Sequence, residues 1–308
     1  MKPIKQSPDS NPMICILGAT ATGKTRLAVA LANSFGGEII SADSRQVYRG
    51  LDIGSGKDLD EYGSTPHHLI DIVDPGHEFN VFEFIVSYND ALEKIQTKGN
   101  LPFLVGGTGM YLDAVLSTYQ LTVRNAEHAE ALQQLSDHEL EDKLRELIPD
   151  QHNTTDTETR SRMISAIEIA LAKQAGEPVI QANTTETLIL GIAMPREKIR
   201  EGITRRLKQR SSEGLIEEVE HLHANGVSWE QLYFYGLEYR FIAQYLQGQL
   251  NYNDMFQKLN SAIHQFAKQQ EKWFRNIEKK GHKIHWINAS ADIEALATET
   301  IKDFLPSQ

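Results

Sequence analysis

Apolar and polar positions fall into alternating blocks along the first third of the chain. An apolar run at 13–17 passes into a loop of small residues at 18–23. Residues 24–35 then place Leu27, Ala28, Leu31 and Phe35 at helical spacing, and Gly36-Gly37 stops the pattern. Residues 38–42 (EIISA) read as a second strand, and 68–73 (HLIDIV) alternates like a third. Asn80 and Glu83 form a capping-box signature for a helix carrying Phe82, Ile85, Leu92 and Ile95, closed by Gly99. The apolar stretch 101–105 ends in Gly106-Gly107. Strands alternating with helices predict an α/β fold, a mostly parallel sheet flanked by helices with ligands at the strand C-termini.

The pattern changes after Leu121. From there to about 185 it is helical, polar and acidic without a convincing strand: Ser136 and Glu139 cap one helix, and 157–175 forms another, ended by Gly176. Strand character returns at 188–193, helices are expected near 196–212, 213–225 and 253–280, and 283–287 can close the sheet. The expected organisation is a core made of 1–121 and 187–308, interrupted by a small helical insertion at 122–186.

Composition narrows the class. A 40% hydrophobic content in 308 residues supports a sizeable core. The lone cysteine, Cys15, excludes an internal disulfide and fits a reducing cytoplasm. The polar N-terminus lacks the apolar core of a signal peptide, and no apolar run reaches the roughly 18 residues of a membrane span, so a cytoplasmic protein is expected. The net charge of −11 argues mildly against a nucleic-acid partner, but basic residues cluster at 196–210 and 268–283, which leaves room for a positive groove.

The loop Gly18-Ala19-Thr20-Ala21-Thr22-Gly23-Lys24-Thr25 matches G-x-x-x-x-G-K-[ST] at every fixed position. Backbone N–H groups of such a P-loop turn around phosphate oxygens, the following helix aims its positive end at them, Lys24 adds a cation, and the Thr25 hydroxyl can ligate Mg²⁺. By itself this is an ATP site. An ATPase usually adds an acid at the end of a later apolar strand to hold the metal. Here 101–105 ends in Gly106-Gly107-Thr108 with no acid. Asp43, at the end of 38–42, instead puts a carboxylate beside the phosphate cradle, as a base, a metal ligand or simply a turn residue.

The strings GATATGKT, ISADSRQVYRGLDIGSGK, PHHLIDIVDP, LVGGTGMYLDA and AKQQEKWFR, in this order, resemble the tRNA dimethylallyltransferases (tRNA isopentenyltransferases), most closely through Leu121. The resemblance implies a Mg²⁺-dependent transfer of a dimethylallyl group from dimethylallyl diphosphate to the exocyclic amine of a tRNA adenosine beside the anticodon. It makes the P-loop a diphosphate grip and Asp43 the general base. It places Ser44, Arg45, Gln46, Thr108 and Arg162 near the tRNA anticodon stem-loop, and Arg206 with Lys24 at the leaving group. The insertion would contact the RNA, and a monomer is expected. Rival readings are a prenyltransferase for free adenine nucleotide, a small-metabolite P-loop kinase and a non-catalytic RNA-binding module. The chain departs from the family at Ser165, where a second arginine is usual, and at Tyr235-Gly236-Leu237-Glu238; it shows no Cys/His zinc-finger arrangement, so the bacterial type rather than the longer eukaryotic form is expected.

Three further residue groups have two readings each. Arg206 shares a helix face with Ile199 and Ile203, so its buried charge needs a diphosphate or a core carboxylate as partner. His67 and His68 point to opposite faces of a strand and are read as structural rather than metal-binding. Trp273 and Phe274 could stack on RNA, but Trp273 aligns with Phe266 and Ile277, which favours the core for Trp273.

Overall fold

The computed structural model describes residues 12–122, 131–148, 160–289 and 292–306. The chain divides into two compact units, Thr118–Asn183 and the remainder on either side of it. The larger unit is built on a six-stranded sheet in the order β3-β2-β4-β1-β7-β8. Its strands are β1 (Met13–Leu17), β2 (Gly37–Ala42), β3 (His67–His68), β4 (Leu101–Gly106), β7 (Thr187–Ala193) and β8 (Ile284–Asn288). Every pairing is parallel. Crossovers place α1 (Lys24–Phe35) and α2 (Val81–Thr97) against the sheet, and α3 (Gly109–Leu116), which follows β4, packs on α2.

β1 and β4 read as continuous apolar runs because every residue of both is buried. On one sheet face Ile14, Ile16, Phe103, Leu190 and Ile287 pack under Leu27, Leu31 and Phe35 of α1. Each such side chain contributes about 1.5–3 kcal/mol of burial free energy. Cys15 lies inside this sheet as a free thiol, pushed up to about 12 by burial. The capping box forms as its spacing predicts: Asn80 accepts from Phe82 N and Glu83 N, and Glu83 accepts from Asn80 N. Phe84 and Tyr88 are buried, whereas Phe82 is only partly so.

The smaller unit contains α4 (Asp137–Leu147) and α5 (Arg160–Gln174), which bury Leu140, Leu144, Met163 and Ile167 between them. A two-stranded antiparallel ribbon, β5 (Leu121–Thr122) with β6 (Val179–Ile180), occurs where only helices are expected. After β7 the larger unit continues through α6 (Arg196–Ser212), α7 (Leu215–Ala224), α8 (Trp229–Phe234), α9 (Leu237–Leu246), α10 (Tyr252–Lys279) and, beyond β8, α11 (Ile293–Phe304).

The expected strand over 68–73 is a correction. Only His67 and His68 pair with β2. Leu69 and Asp71 take positive φ of 63° and 56°, which breaks the ladder, and the apolar alternation records burial of Leu69 and Ile70 rather than pairing. His68 bonds Glu38 at 2.7 Å, and His67 packs on Tyr62, so both histidines are structural.

Candidate functional site

The P-loop leaves β1 and enters α1 through left-handed dihedrals at Ala21 and Gly23, φ 62° and 82°. Lys24 Nζ folds back onto the Ala19 carbonyl at 3.1 Å. Burial, reinforced by the neighbouring Arg206 and opposed by Asp43, pushes the Lys24 ammonium down to about 8. A ready anion would reverse that shift, because it favours the charged form.

Asp43 leaves β2 beside this loop. Its Oδ1 accepts from Arg45 N at 2.9 Å, so the carboxylate shapes its own turn and still lines the cleft. Thr108 begins α3 across from it, and its Oγ1 accepts from Ser44 N at 3.1 Å. A cavity of about 370 Å³ is lined by Lys24, Thr25, Asp43, Thr108, Arg206 and Arg210 among others. A second cleft, of about 680 Å³, is also lined by the P-loop, and Lys24, Thr25, Arg206 and Arg210 line both.

Arg206 ion-pairs with Asp58, a partly exposed carboxylate that lines the second cleft rather than the core carboxylate weighed as its alternative partner. Burial and the adjacent Arg210 push the Arg206 guanidinium down to about 10. Glu238 faces the same arginines, and burial raises its carboxyl above the usual range. Arg45 stands over the Phe234 ring, 5.7 Å from its centroid, at the cleft wall. Gln46 is turned inward: it accepts from Ser41 Oγ at 2.7 Å and donates to the Gly56 carbonyl at 3.2 Å. Arg162 falls within α5, and its side chain lies outside the described residues.

Several residues that build this site escaped the sequence reading. Gln270 on α10 accepts from Thr20 N at 2.8 Å and donates to the Gly107 carbonyl at 2.9 Å, tying the P-loop to the β4–α3 turn. The available signal was one polar residue on the buried stripe Ile263, Ala267, Phe274, Ile277. Lys57 is fully buried, with its ammonium on the Tyr48 carbonyl at 2.7 Å, Asp52 at 2.6 Å and Asp71. Glu218 accepts from the backbone of Asp52, Ile53 and Gly54 at 2.6–3.0 Å and from Tyr239 Oη at 2.9 Å. These contacts hold the loop 43–57 against the cleft.

Trp273 requires a second correction. It is 38% exposed and Phe266 41%, and both line the cleft, while Phe274 is the core residue. Trp273 lies over Gly109, where any Cβ would come within 2.3 Å of it. The basic cluster is also partly spent internally: Arg196 and Arg275 both reach Glu271, at 3.5 and 3.6 Å.

A parallel sheet, a P-loop and a carboxylate facing it across a cationic cleft define a P-loop α/β protein built to hold a phosphorylated ligand. The chain belongs to the IPP transferase family, whose model matches residues 46–277; the isopentenyl transferase model matches residues 12–66. It is similar to tRNA dimethylallyltransferase 1 of Geotalea uraniireducens, 53% identical with 94% of this chain and 97% of that protein covered. It is 52% identical to tRNA dimethylallyltransferase 2 of Citrifermentans bemidjiense, with 96% and 97% covered. The tRNA isopentenylpyrophosphate transferase structure from Bacillus halodurans superposes with a TM-score of 0.69 at 32% identity, covering 96% of this chain and 95% of that one.

Proposed function

We propose that the protein transfers a dimethylallyl group from dimethylallyl diphosphate to the exocyclic amine of a tRNA adenosine next to the anticodon, acting as a cytoplasmic monomer. The observation that carries this reading is the single cavity in which Asp43 and Thr108 face Lys24, Thr25 and Arg206. No helix among the described residues is long and apolar enough to cross a membrane, which is compatible with that setting.

In the proposed reaction the adenine amine attacks the allylic carbon, the carbon–oxygen bond to diphosphate breaks, and diphosphate leaves with the electron pair. The amine proton passes to the Asp43 carboxylate. Lys24, Arg206 and the P-loop N–H groups stabilise the charge that grows on the leaving oxygens. The target base must leave its stack to reach Asp43. Ser44, Arg45 and Thr108 surround that position, with Gln46 supporting the loop from behind. The exposed faces of Trp273 and Phe266 line the same cavity and offer stacking surface. The unit Thr118–Asn183, together with Arg162 on α5, is assigned the RNA grip.

Thr25 fits a Mg²⁺ carried by the diphosphate. Its hydroxyl makes no hydrogen bond among the described residues and opens on both clefts. No group of three or more acidic, His or Cys side chains stands ready among the described residues, which suits an ion held mainly by phosphate oxygens and water. When bound, Mg²⁺ neutralises charge on the departing diphosphate.

The test is incubation with labelled dimethylallyl diphosphate, Mg²⁺ and either unmodified tRNA or AMP. Label is expected in tRNA. Label only in AMP, or none in either, overturns the reading.

A further inference from the structure

Arg210 lies one turn beyond Arg206 on α6, and its side chain is only 12% exposed. Its Nη2 is buried without a hydrogen-bond partner among the described residues. An orphaned guanidinium N–H is costly inside a protein, and burial lowers its affinity for the proton. Its ion-pair partner among the described residues is Asp58, whose Oδ1 lies at 3.6 Å, beyond hydrogen-bond reach; the other oxygen of that carboxylate is taken by Arg206.

The local backbone is shaped around this guanidinium. A Cβ on Gly56 would lie 1.8 Å from Arg210 Nη2 and 3.1 Å from Arg206 Nη2, and Gly56 also has φ +69°. Only glycine meets both conditions. Asp58 itself sits at φ 46°, an unfavourable region for a residue with a side chain, and opens the short turn Leu59–Glu61 along the second cleft. Two guanidiniums thus converge on one carboxylate that satisfies only one of them, in a cleft they share with Lys24 and Thr25.

We propose that Arg210 is a second diphosphate ligand, forming a two-guanidinium clamp with Arg206, and that Asp58 is a tethered counter-ion which occupies the clamp until the ligand displaces it. The proposal rests on the reading that a prenyl diphosphate fills the P-loop cleft. A carboxylate brings one negative charge and two oxygens. A diphosphate brings more of both, so it satisfies the N–H that Asp58 leaves free. Asp58 then competes with the leaving diphosphate, which weakens substrate binding and speeds product release together. Glu238 bears electrostatically on both arginines and keeps the clamp from gathering excess positive charge.

Calorimetric titration of inorganic diphosphate with Mg²⁺ into the full-length protein tests the clamp. Arg210→Gln is expected to weaken binding by about tenfold or more, with part of the loss recovered in Arg210→Lys. Asp58→Asn is expected to tighten binding by about threefold or more, because the competent state is no longer masked. In the double variant the Asp58→Asn gain should shrink, since the residues are coupled. Unchanged affinity in folded Arg210→Gln, or unchanged or weaker binding in Asp58→Asn, overturns the proposal. If Arg210→Gln fails to fold, Asp58→Asn alone decides. A wild-type protein that binds no diphosphate defeats the parent reading and the clamp with it; wild-type binding with unmoved variants defeats the clamp only.

Discussion

The two walls of the P-loop cleft are built on opposite principles. On the Asp43 wall nearly every polar group is satisfied within the protein. Asp43 accepts from Arg45 N, Thr108 from Ser44 N, Gln46 spans Ser41 and Gly56, and Lys57 and Glu218 fasten the loop behind them. On the arginine wall Lys24, Arg206 and Arg210 crowd together, all with depressed proton affinity, and one buried N–H has no partner among the described residues. The first wall is finished before any ligand arrives. The second is left with charge for a ligand to complete. A base that must meet a weakly nucleophilic amine needs fixed geometry, whereas an anion site gains selectivity by staying unsatisfied without its anion.

The comparison can be broken most severely at Asp43. Asp43→Ala should lower turnover by about 10²–10⁴, read in single-turnover transfer to tRNA. Near-normal turnover would reduce the residue to its turn-forming contact. Next comes the fastening. Lys57→Met strands Asp52 and Asp71 and should cost about 2–3 kcal/mol in urea unfolding, less than for a fully enclosed pair because both carboxylates reach solvent. A cost under roughly 0.5 kcal/mol would show the loop is held elsewhere. Gln270→Ala orphans Thr20 N and the Gly107 carbonyl and should cost about 1–3 kcal/mol, with turnover reduced as the two loops loosen. Unfolding and kinetics measured on the same preparation check both halves.

The smallest effect distinguishes the walls by pH. Lys24 has its proton affinity lowered to about 8 in the free protein, and a bound anion raises it again. Diphosphate binding should therefore take up a proton at and above that pH, so affinity falls as pH rises through about 8, by at most about tenfold per pH unit. The same depressed value means the buried ammonium opposes folding below about 8, and that this penalty fades as pH climbs toward the unfolded value of 10.5. Affinity that rises through this window would contradict the assignment of Lys24 to the anion wall.

What was legible in the sequence was local. The P-loop needs neighbours only, and it stands where the motif places it. Asp43 and Thr108 could be set at strand ends because β2 and β4 are short apolar runs with sharp stops. The fastening residues were not legible. Gln270 meets Thr20 across 250 positions, and Glu218 meets Ile53 across 165, so no local pattern announces either contact. The stretch 68–73 misled because burial of Leu69 and Ile70 imitates strand alternation while positive φ at Leu69 and Asp71 bends the chain away. On α10, a helix of 28 residues, apolar side chains occupy more than the core-facing stripe. Phe274 took the core and Trp273 the cleft, because the core stripe runs through Gln270 and Ile277, and Gly109 leaves room for the Trp273 side chain beside it.

The most direct measurement follows turnover and diphosphate affinity side by side in the wild type and Asp43→Ala, with tRNA as acceptor. If the walls are separable, Asp43→Ala keeps its affinity for inorganic diphosphate within about twofold, a difference below roughly 0.5 kcal/mol, while losing transfer to tRNA. Diphosphate binding lost together with turnover, or turnover retained, would contradict the account.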